Sequence, residues 1–275
     1  MVDVLNGVEM TAYLVNESRA RRLKLAGDPR AADWIPDAER VAVRALWDEW
    51  ASAVYTHDDL VIALRSRCVL DALAQSLEQD PDTVLVVCGA GFSSYPWLLP
   101  FADALEVDLP SIVAAKRRRV DELMSAGIID DRSVEHLAAD LTVPAARCEV
   151  IDRARELARG RPVAYVAEGL VYYLPAEAAR AVARLGVDVA SRALSVINYW
   201  PPSVANNLVL AALHQWFRGR SVPENSTYLT REELDSLLGV PIEDYGMEDL
   251  QRRYLGRVVV PESGLLPEYM AIART

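Results

Sequence analysis

A chain of 275 residues is long enough for one large domain, or for a core with a cap over it. Its formal charge of −11 and pI of about 4.9 set up a field that repels phosphate backbones and anionic lipid and attracts cations, which excludes nucleic acid as an expected partner. No apolar stretch reaches membrane-spanning length, acids at Asp3 and Glu9 precede any apolar run, and Cys68, Cys88 and Cys148 are odd in number and lack metal-ligand spacing. A cytoplasmic protein with reduced thiols, no signal peptide and no metal is the expectation.

From Asn6 to about Gln79 the pattern is helical. Ala38 to Ala53 repeats apolar residues at three and four positions, and Trp47 and Trp50 within it read as packing residues. A further helix from about Leu60 to Leu77 carries Arg65, Arg67 and Asp71. Residues 1–79 are thus expected to form a helical cap over a domain spanning 80–275.

Val84-Leu85-Val86-Val87-Cys88 follows the turn signal Asp80-Pro81-Asp82 and reads as a strand buried on both faces. It breaks at Gly89-Ala90-Gly91, where glycines allow a sharp turn and close approach of a ligand. A second strand ends in Glu106-Val107-Asp108, nineteen residues beyond Gly89, near the ~20 expected for a carboxylate that grips a ribose. Where a dinucleotide fold wants a third small residue the chain has Ser94 and then Tyr95-Pro96-Trp97, so a nucleoside without a pyrophosphate fits better.

Ser111 to Ala126 is a helix whose Lys116-Arg117-Arg118-Arg119 run is expected to be a solvated face. Ser133 to Leu141 is a third strand and Pro162 to Ala167 a fourth, which runs into Glu168-Gly169-Leu170-Val171-Tyr172-Tyr173-Leu174-Pro175. Ala193 to Tyr199 is a fifth. Pro201 to Arg220 reads as a helical lid insertion, extending to about residue 230, where Thr230 and Glu233 make a capping box. Val240 to Tyr245 and Glu268 to Ala273 pair as a closing antiparallel hairpin around a helix from Glu248 to Leu255. Alternating strands and helices predict an α/β, doubly wound, Rossmann-like sheet, mostly parallel with an antiparallel C-terminal strand. Gly89, Asp108, Asp140 and Glu168 all follow strand ends, where such sheets bind ligands.

At these residues the sequence resembles the S-adenosylmethionine-dependent methyltransferases of the leucine carboxyl methyltransferase type, a group that includes bacterial polyketide O-methyltransferases. The resemblance rests on L-R-S-R-C-V-L-D-A-L, V-C-G-A-G, L-E-V-D-L-P followed by A-A-K-R-R, A-A-D-L and A-E-G-L-V-Y-Y-L-P, in that order. It implies a class I methyltransferase fold, S-adenosylmethionine (SAM) as cofactor and a small-molecule acceptor. It further implies that Arg65, with Arg67 competing, pairs with the methionine carboxylate, assisted by Lys24, while Gly89, Ala90 and Gly91 approach the methionine arm. Asp108, with Leu109 beside it, would hold the ribose, Asp140 and Leu141 the adenine, and Glu168 the amino group or the substrate. The family usually has an aspartate and a threonine after its glycine turn, and often an arginine; here Phe92-Ser93-Ser94-Tyr95-Pro96-Trp97 stand there.

The expected function is O-methylation of a small-molecule carboxylate or hydroxyl in specialised metabolism. Glu168, His214 and Tyr173 are the catalytic candidates, His214 as base for a hydroxyl acceptor, while His57 and His136 read as solvated. Tyr172, Tyr173, Tyr199 and Trp200 are the candidate acceptor pocket. Alternatives are transfer or cyclisation of the cofactor's aminocarboxypropyl arm with release of methylthioadenosine, a non-catalytic SAM-binding protein, and an NAD-dependent dehydrogenase, which Ser94 disfavours. The motifs leave the oligomeric state open.

Overall fold

The computed structural model describes residues 7–218, 220, 222 and 226–275. Asp3 and Asn6, and lid residues 219, 221 and 223–225, lie outside the described residues.

Seven strands form: β1 Val84–Cys88, β2 Ala104–Asp108, β3 Val134–Ala138, β4 Val163–Ala167, β5 Ala193–Tyr199, β6 Glu243–Gly246 and β7 Tyr269–Arg274; the inner ones are mostly apolar runs, whereas β3 and β6, at the sheet edges, are more polar. They make one sheet in the order β3-β2-β1-β4-β5-β7-β6. β1 to β5 are parallel, and β7 runs antiparallel to both β5 and β6. The order reverses between β1 and β4, which opens a crevice at the carboxyl ends of those two strands. The expected mostly parallel sheet with an antiparallel closing pair is what forms.

Eleven α-helices lie among the described residues. Four precede the sheet: α1 Gly7–Arg21, α2 Leu23–Ala26, α3 Arg40–Ala53 and α4 Asp58–Gln79. The others are α5 Tyr95–Leu98, α6 Pro110–Ser125, α7 Pro144–Ala158, α8 Ala176–Val189, α9 Leu208–Phe217, α10 Arg231–Leu238 and α11 Met247–Leu255. Alternate residues of each strand serve opposite faces of the sheet. Leu85, Val87, Ala164, Val166 and Val196 pack towards α4, with Leu64, Val69 and Leu73. Val84, Val86, Tyr165 and Ala167 pack towards α7 and α8, with Val150, Ala154, Val182 and Ala183. That double burial explains why the strands read as continuous apolar runs rather than alternating ones.

The third strand stops at Ala138, short of the expected Leu141, because the Asp140 side chain accepts from the backbone N–H of Thr142 and turns the chain there. The lid begins as a single 3₁₀ turn at Pro202–Val204. Its helix α9 starts only at Leu208, once Asn207 caps it by accepting from the N–H of Leu210. No described helix is long and apolar enough to cross a membrane.

The Thr230 capping box closes reciprocally. Thr230 Oγ1 accepts from Glu233 N–H at 3.1 Å, and Glu233 Oε2 accepts from Thr230 N–H at 2.9 Å. Thr230→Ala should cost about 1 kcal/mol, a fall of roughly 2 °C in thermal midpoint for a chain of this size, with cofactor affinity unchanged. Calorimetric melting of the variant checks this.

Candidate active site

A cavity of about 330 Å³ opens at the carboxyl ends of β1, β2 and β4, within the roughly 300–1,000 Å³ usual for small-molecule sites. Arg65, Gly89, Ala90, Gly91, Asp108, Leu109, Asp140, Leu141 and Glu168 all line it. Leading elements of the sheet thus bring residues from five separate segments to one place. Arg67 and Lys24 are not among its lining residues: Arg67 pairs with Asp71 at 2.8 Å, and Lys24 is exposed.

The glycine turn is held open from behind. Gly89 and Gly91 have φ of 67° and 47°, a region that penalises side chains, and a Cβ on Gly89 would press to 3.1 Å from Leu170. Asp108 fixes the turn across from β2, with Oδ2 accepting from Gly91 N–H and Oδ1 from Leu109 N–H, both at 2.7 Å. Each oxygen keeps a lone pair for a further donor. Burial raises the Asp108 carboxyl above the ordinary aspartate range, against the lowering effect of those two N–H groups.

The Lys116-Arg117-Arg118-Arg119 run is not the uniformly solvated face that its charge predicts. Lys116 is buried; its Nζ lies 2.6 Å from Glu106 Oε1 and donates at 3.0 Å to the Ser93 carbonyl of the glycine turn. His136, read as solvated, also points inward, with Nε2 3.2 Å from Glu106 Oε2. Burial alone would push Glu106 up, but Lys116 and His136 outweigh it and hold its carboxyl below the usual range. The signal was present: Ile112, Val113, Lys116, Val120 and Leu123 share one helical stripe, so Lys116 belongs to the buried face.

The serines that stand after the glycine turn are structural braces. Ser93 Oγ donates to Glu106, and Ser94 Oγ donates to Asp28 while accepting from Trp34 Nε1 at 2.7 Å. Tyr95 donates to Glu168. From α1, Asn16 Nδ2 donates to the Phe92 carbonyl and Tyr13 stacks on Phe92 at 4.7 Å, so the first helix clasps the same turn.

Arg65 lies at the centre of a buried charge cluster that links the beginning, middle and end of the chain. Its Nε donates to Glu168 Oε1 at 2.7 Å and its Nη1 to both oxygens of Glu268 at 2.9 Å. Arg19, on α1, reaches the cavity with Nη2 3.5 Å from Glu168, and its other nitrogens are held by Ser66 and Asn16. Burial opposes ionisation of Glu168, but Arg65 and then Arg19 prevail and keep its carboxyl below the usual range. Glu268 goes the other way: burial outweighs Arg65 and raises it. Arg19 and Glu268 were missed from sequence; Arg19 sits among polar neighbours and Glu268 has no partner nearby in the chain.

A smaller cleft of about 80 Å³ continues from the cavity, sharing Thr11, Val15, Arg65, Gly169 and Tyr173 with it. Trp50, Tyr172 and Phe217 give it aromatic walls, and Asp58 and Glu268 give it carboxylates. Tyr172 and Tyr173 therefore reach the site. Trp200 stands behind Tyr172, stacked at 3.9 Å and 4°, and Tyr199 faces the opposite side of the sheet against Tyr269. His214 lines neither space; its Nε2 is 2.8 Å from Ser226 Oγ, and its neighbour Leu213 borders the cleft. Among the described residues no cluster of potential ligands could hold a metal ion.

Arg19 and Arg65 face the buried carboxyls of Asp58, Glu168 and Glu268, of which burial raises Asp58 and Glu268. An open glycine turn and a strand-end carboxylate with free lone pairs suit the sugar and arm of a nucleoside.

A family model described as leucine carboxyl methyltransferase matches residues 9–185. A solved structure of a candidate methyltransferase from Thermobifida fusca YX is 17% identical with a TM-score of 0.59, over 85% of this chain and 88% of that one. A DUF574 family protein from Streptomyces avermitilis MA-4680 is 14% identical with a TM-score of 0.60, over 85% and 90%. At these identities the likeness is one of fold. No curated protein matches the chain.

Proposed function

The chain belongs to the leucine carboxyl methyltransferase family and is an S-adenosylmethionine-dependent methyltransferase, and on that basis we propose that it O-methylates a carboxylate or hydroxyl of a small molecule in specialised metabolism, in the cytoplasm and without a nucleic-acid partner. The observation that carries this reading is the continuity of the two spaces: a nucleoside-sized cavity at the strand ends opens directly into an aromatic-walled cleft.

In this reading Asp108 holds the ribose hydroxyls, Asp140 and Leu141 bracket the adenine, and Gly89, Ala90, Gly91 and Leu109 line the cofactor's path. Arg65, whose Nε and Nη1 are engaged by glutamates, acts chiefly by setting Glu168, and Arg19 supplies the second positive charge beside it. SAM, held by Asp108, Asp140, Leu141 and the glycine turn, would supply an electrophilic methyl group to the acceptor oxygen, with sulfur as the leaving atom that keeps the bonding pair. A hydroxyl acceptor also releases a proton, whereas a carboxylate needs no base. The protein's share is alignment and exclusion of water. Tyr173, at the junction of the two spaces, stays protonated because burial raises its phenol, so it serves as a hydrogen-bond donor to the acceptor. His214 stands behind the cleft wall and lines neither space, so its path to the acceptor runs through Ser226.

S-adenosylhomocysteine is expected to bind with micromolar affinity, about −8 kcal/mol, and NAD to give no heat. Incubation with methyl-labelled SAM and candidate acceptors should release S-adenosylhomocysteine. Methylthioadenosine formed without an acceptor would replace methyl transfer by chemistry on the aminocarboxypropyl arm.

A further inference from the structure

Resting on the reading above, we infer that the acceptor is an uncharged hydroxyl on an apolar skeleton, and that Glu268 and Asp58 exclude carboxylate acceptors from the cleft. The cleft is the space that remains beyond the cofactor cavity, joined to it at Gly169 and Tyr173. Its walls are Leu14, Ile62, Leu213 and Leu266 together with the rings of Trp50 and Phe217. Among the described residues its charged lining side chains are Asp58, Arg65 and Glu268.

The single cation among them is already matched by two glutamates, so its charge does not cancel that of an entering anion. Arg65 gives Nε to Glu168 and Nη1 to both oxygens of Glu268, and its remaining Nη2 lies beside Gly169, where an added Cβ would come within 3.3 Å of it. Both cleft carboxylates are held by donors alone, yet burial outweighs those donors and raises both carboxyls, so the like charge they present is fullest at high pH. Glu268 accepts from Arg65 and from the Tyr172 hydroxyl at 3.1 Å; Asp58 accepts from the Ser18 hydroxyl and from the Tyr55 hydroxyl at 2.7 Å. Glu268 is 1% and Asp58 5% exposed, so water screens neither. A carboxylate entering here meets two like charges in a dry apolar cleft, after losing its own hydration. A hydroxyl meets the same carboxylates as hydrogen-bond acceptors for its proton, the arrangement in which a buried acid favours rather than opposes the ligand.

The test uses a matched pair of probes, 4-methylphenol and 4-methylbenzoate, at pH 8. Wild-type protein is first titrated with S-adenosylhomocysteine, then the loaded protein with each probe by ligand-observed NMR. We expect 4-methylphenol to bind at least tenfold more tightly than 4-methylbenzoate, and Glu268→Gln to narrow that ratio by improving binding of the benzoate. Asp58→Asn should act in the same direction, and it stands in if Glu268→Gln does not fold. Equal or tighter binding of 4-methylbenzoate to the wild type, no binding of either probe, or an unchanged ratio in the folded variants each overturns the inference while leaving the methyltransferase reading intact. Failure of S-adenosylhomocysteine itself to bind would overturn that reading, and the inference with it.

Discussion

Replacing Arg65 with alanine is expected to destabilise the fold by about 3–5 kcal/mol, because it strands buried carboxylates at Glu168 and Glu268 without their cation. Arg19, at 3.5 Å, still faces Glu168, whereas Glu268 keeps only Tyr172. The loss should depend on pH in a definite sense. Without Arg65 both carboxyls titrate higher in the folded protein than the ~4.3 of an unfolded glutamate, so the folded state binds more protons and stability falls as pH rises. Lowering the pH from 8 towards 5 should therefore recover part of the deficit, which urea unfolding at several pH values measures. Arg65→Lys keeps the charge but cannot serve both glutamates with the same fork, and an intermediate loss is expected. A variant that remains as stable as wild type at pH 8 would show that the cluster is solvated.

Asp108→Ala is expected to lower S-adenosylhomocysteine affinity by about 2–3 kcal/mol, roughly 30- to 150-fold, through loss of a charged acceptor for the ribose. The same change releases the N–H groups of Gly91 and Leu109, so part of the loss comes from loosening the glycine turn. Asp108→Asn, which retains one acceptor oxygen, should keep part of that bracing and separate the two contributions. Because burial raises Asp108, and only its ionised form accepts from two hydroxyls, wild-type affinity should weaken on acidification sooner than an ordinary aspartate would allow. Isothermal titration across pH 5 to 8 checks both points, and Asp108→Ala should flatten the dependence.

The sheet was legible because its strands are short apolar runs set off by turn residues, and because the ligand end of a doubly wound sheet is fixed by strand direction. Gly89, Asp108, Asp140 and Glu168 each lie at or just past the end of a strand, so knowing the strands placed them in one crevice. What the pattern could not show were partners joined only by folding. Glu268 precedes β7 and looks like any surface acid until β7 is laid against β5. Arg19 lies in a run of polar residues, Asn16-Glu17-Ser18, yet all four are buried because α1 is enclosed on several sides: Asn16 and Arg19 line the cavity, Ser18 meets Asp58 and Trp47, and Glu17 pairs with Arg21. The aromatic set divided for a simpler reason. Tyr199 and Trp200 are consecutive to a strand end, and the pleat and the turn after it send them to places from which neither reaches the cleft.

The bond between Arg65 and Glu268 spans 203 positions, and β7 slots between β5 and β6 rather than onto an outer edge. During synthesis, therefore, β5, all seven of whose residues are buried in the finished sheet, leaves the ribosome with one edge unpaired until β7 has followed it. For that interval the nascent chain carries a bare apolar edge, the kind of surface on which chains add to one another or chaperones settle. Yield in the cell should therefore depend on how fast the segment after β5 is translated: slow codons between α9 and β7 lengthen the exposure, and fast ones shorten it.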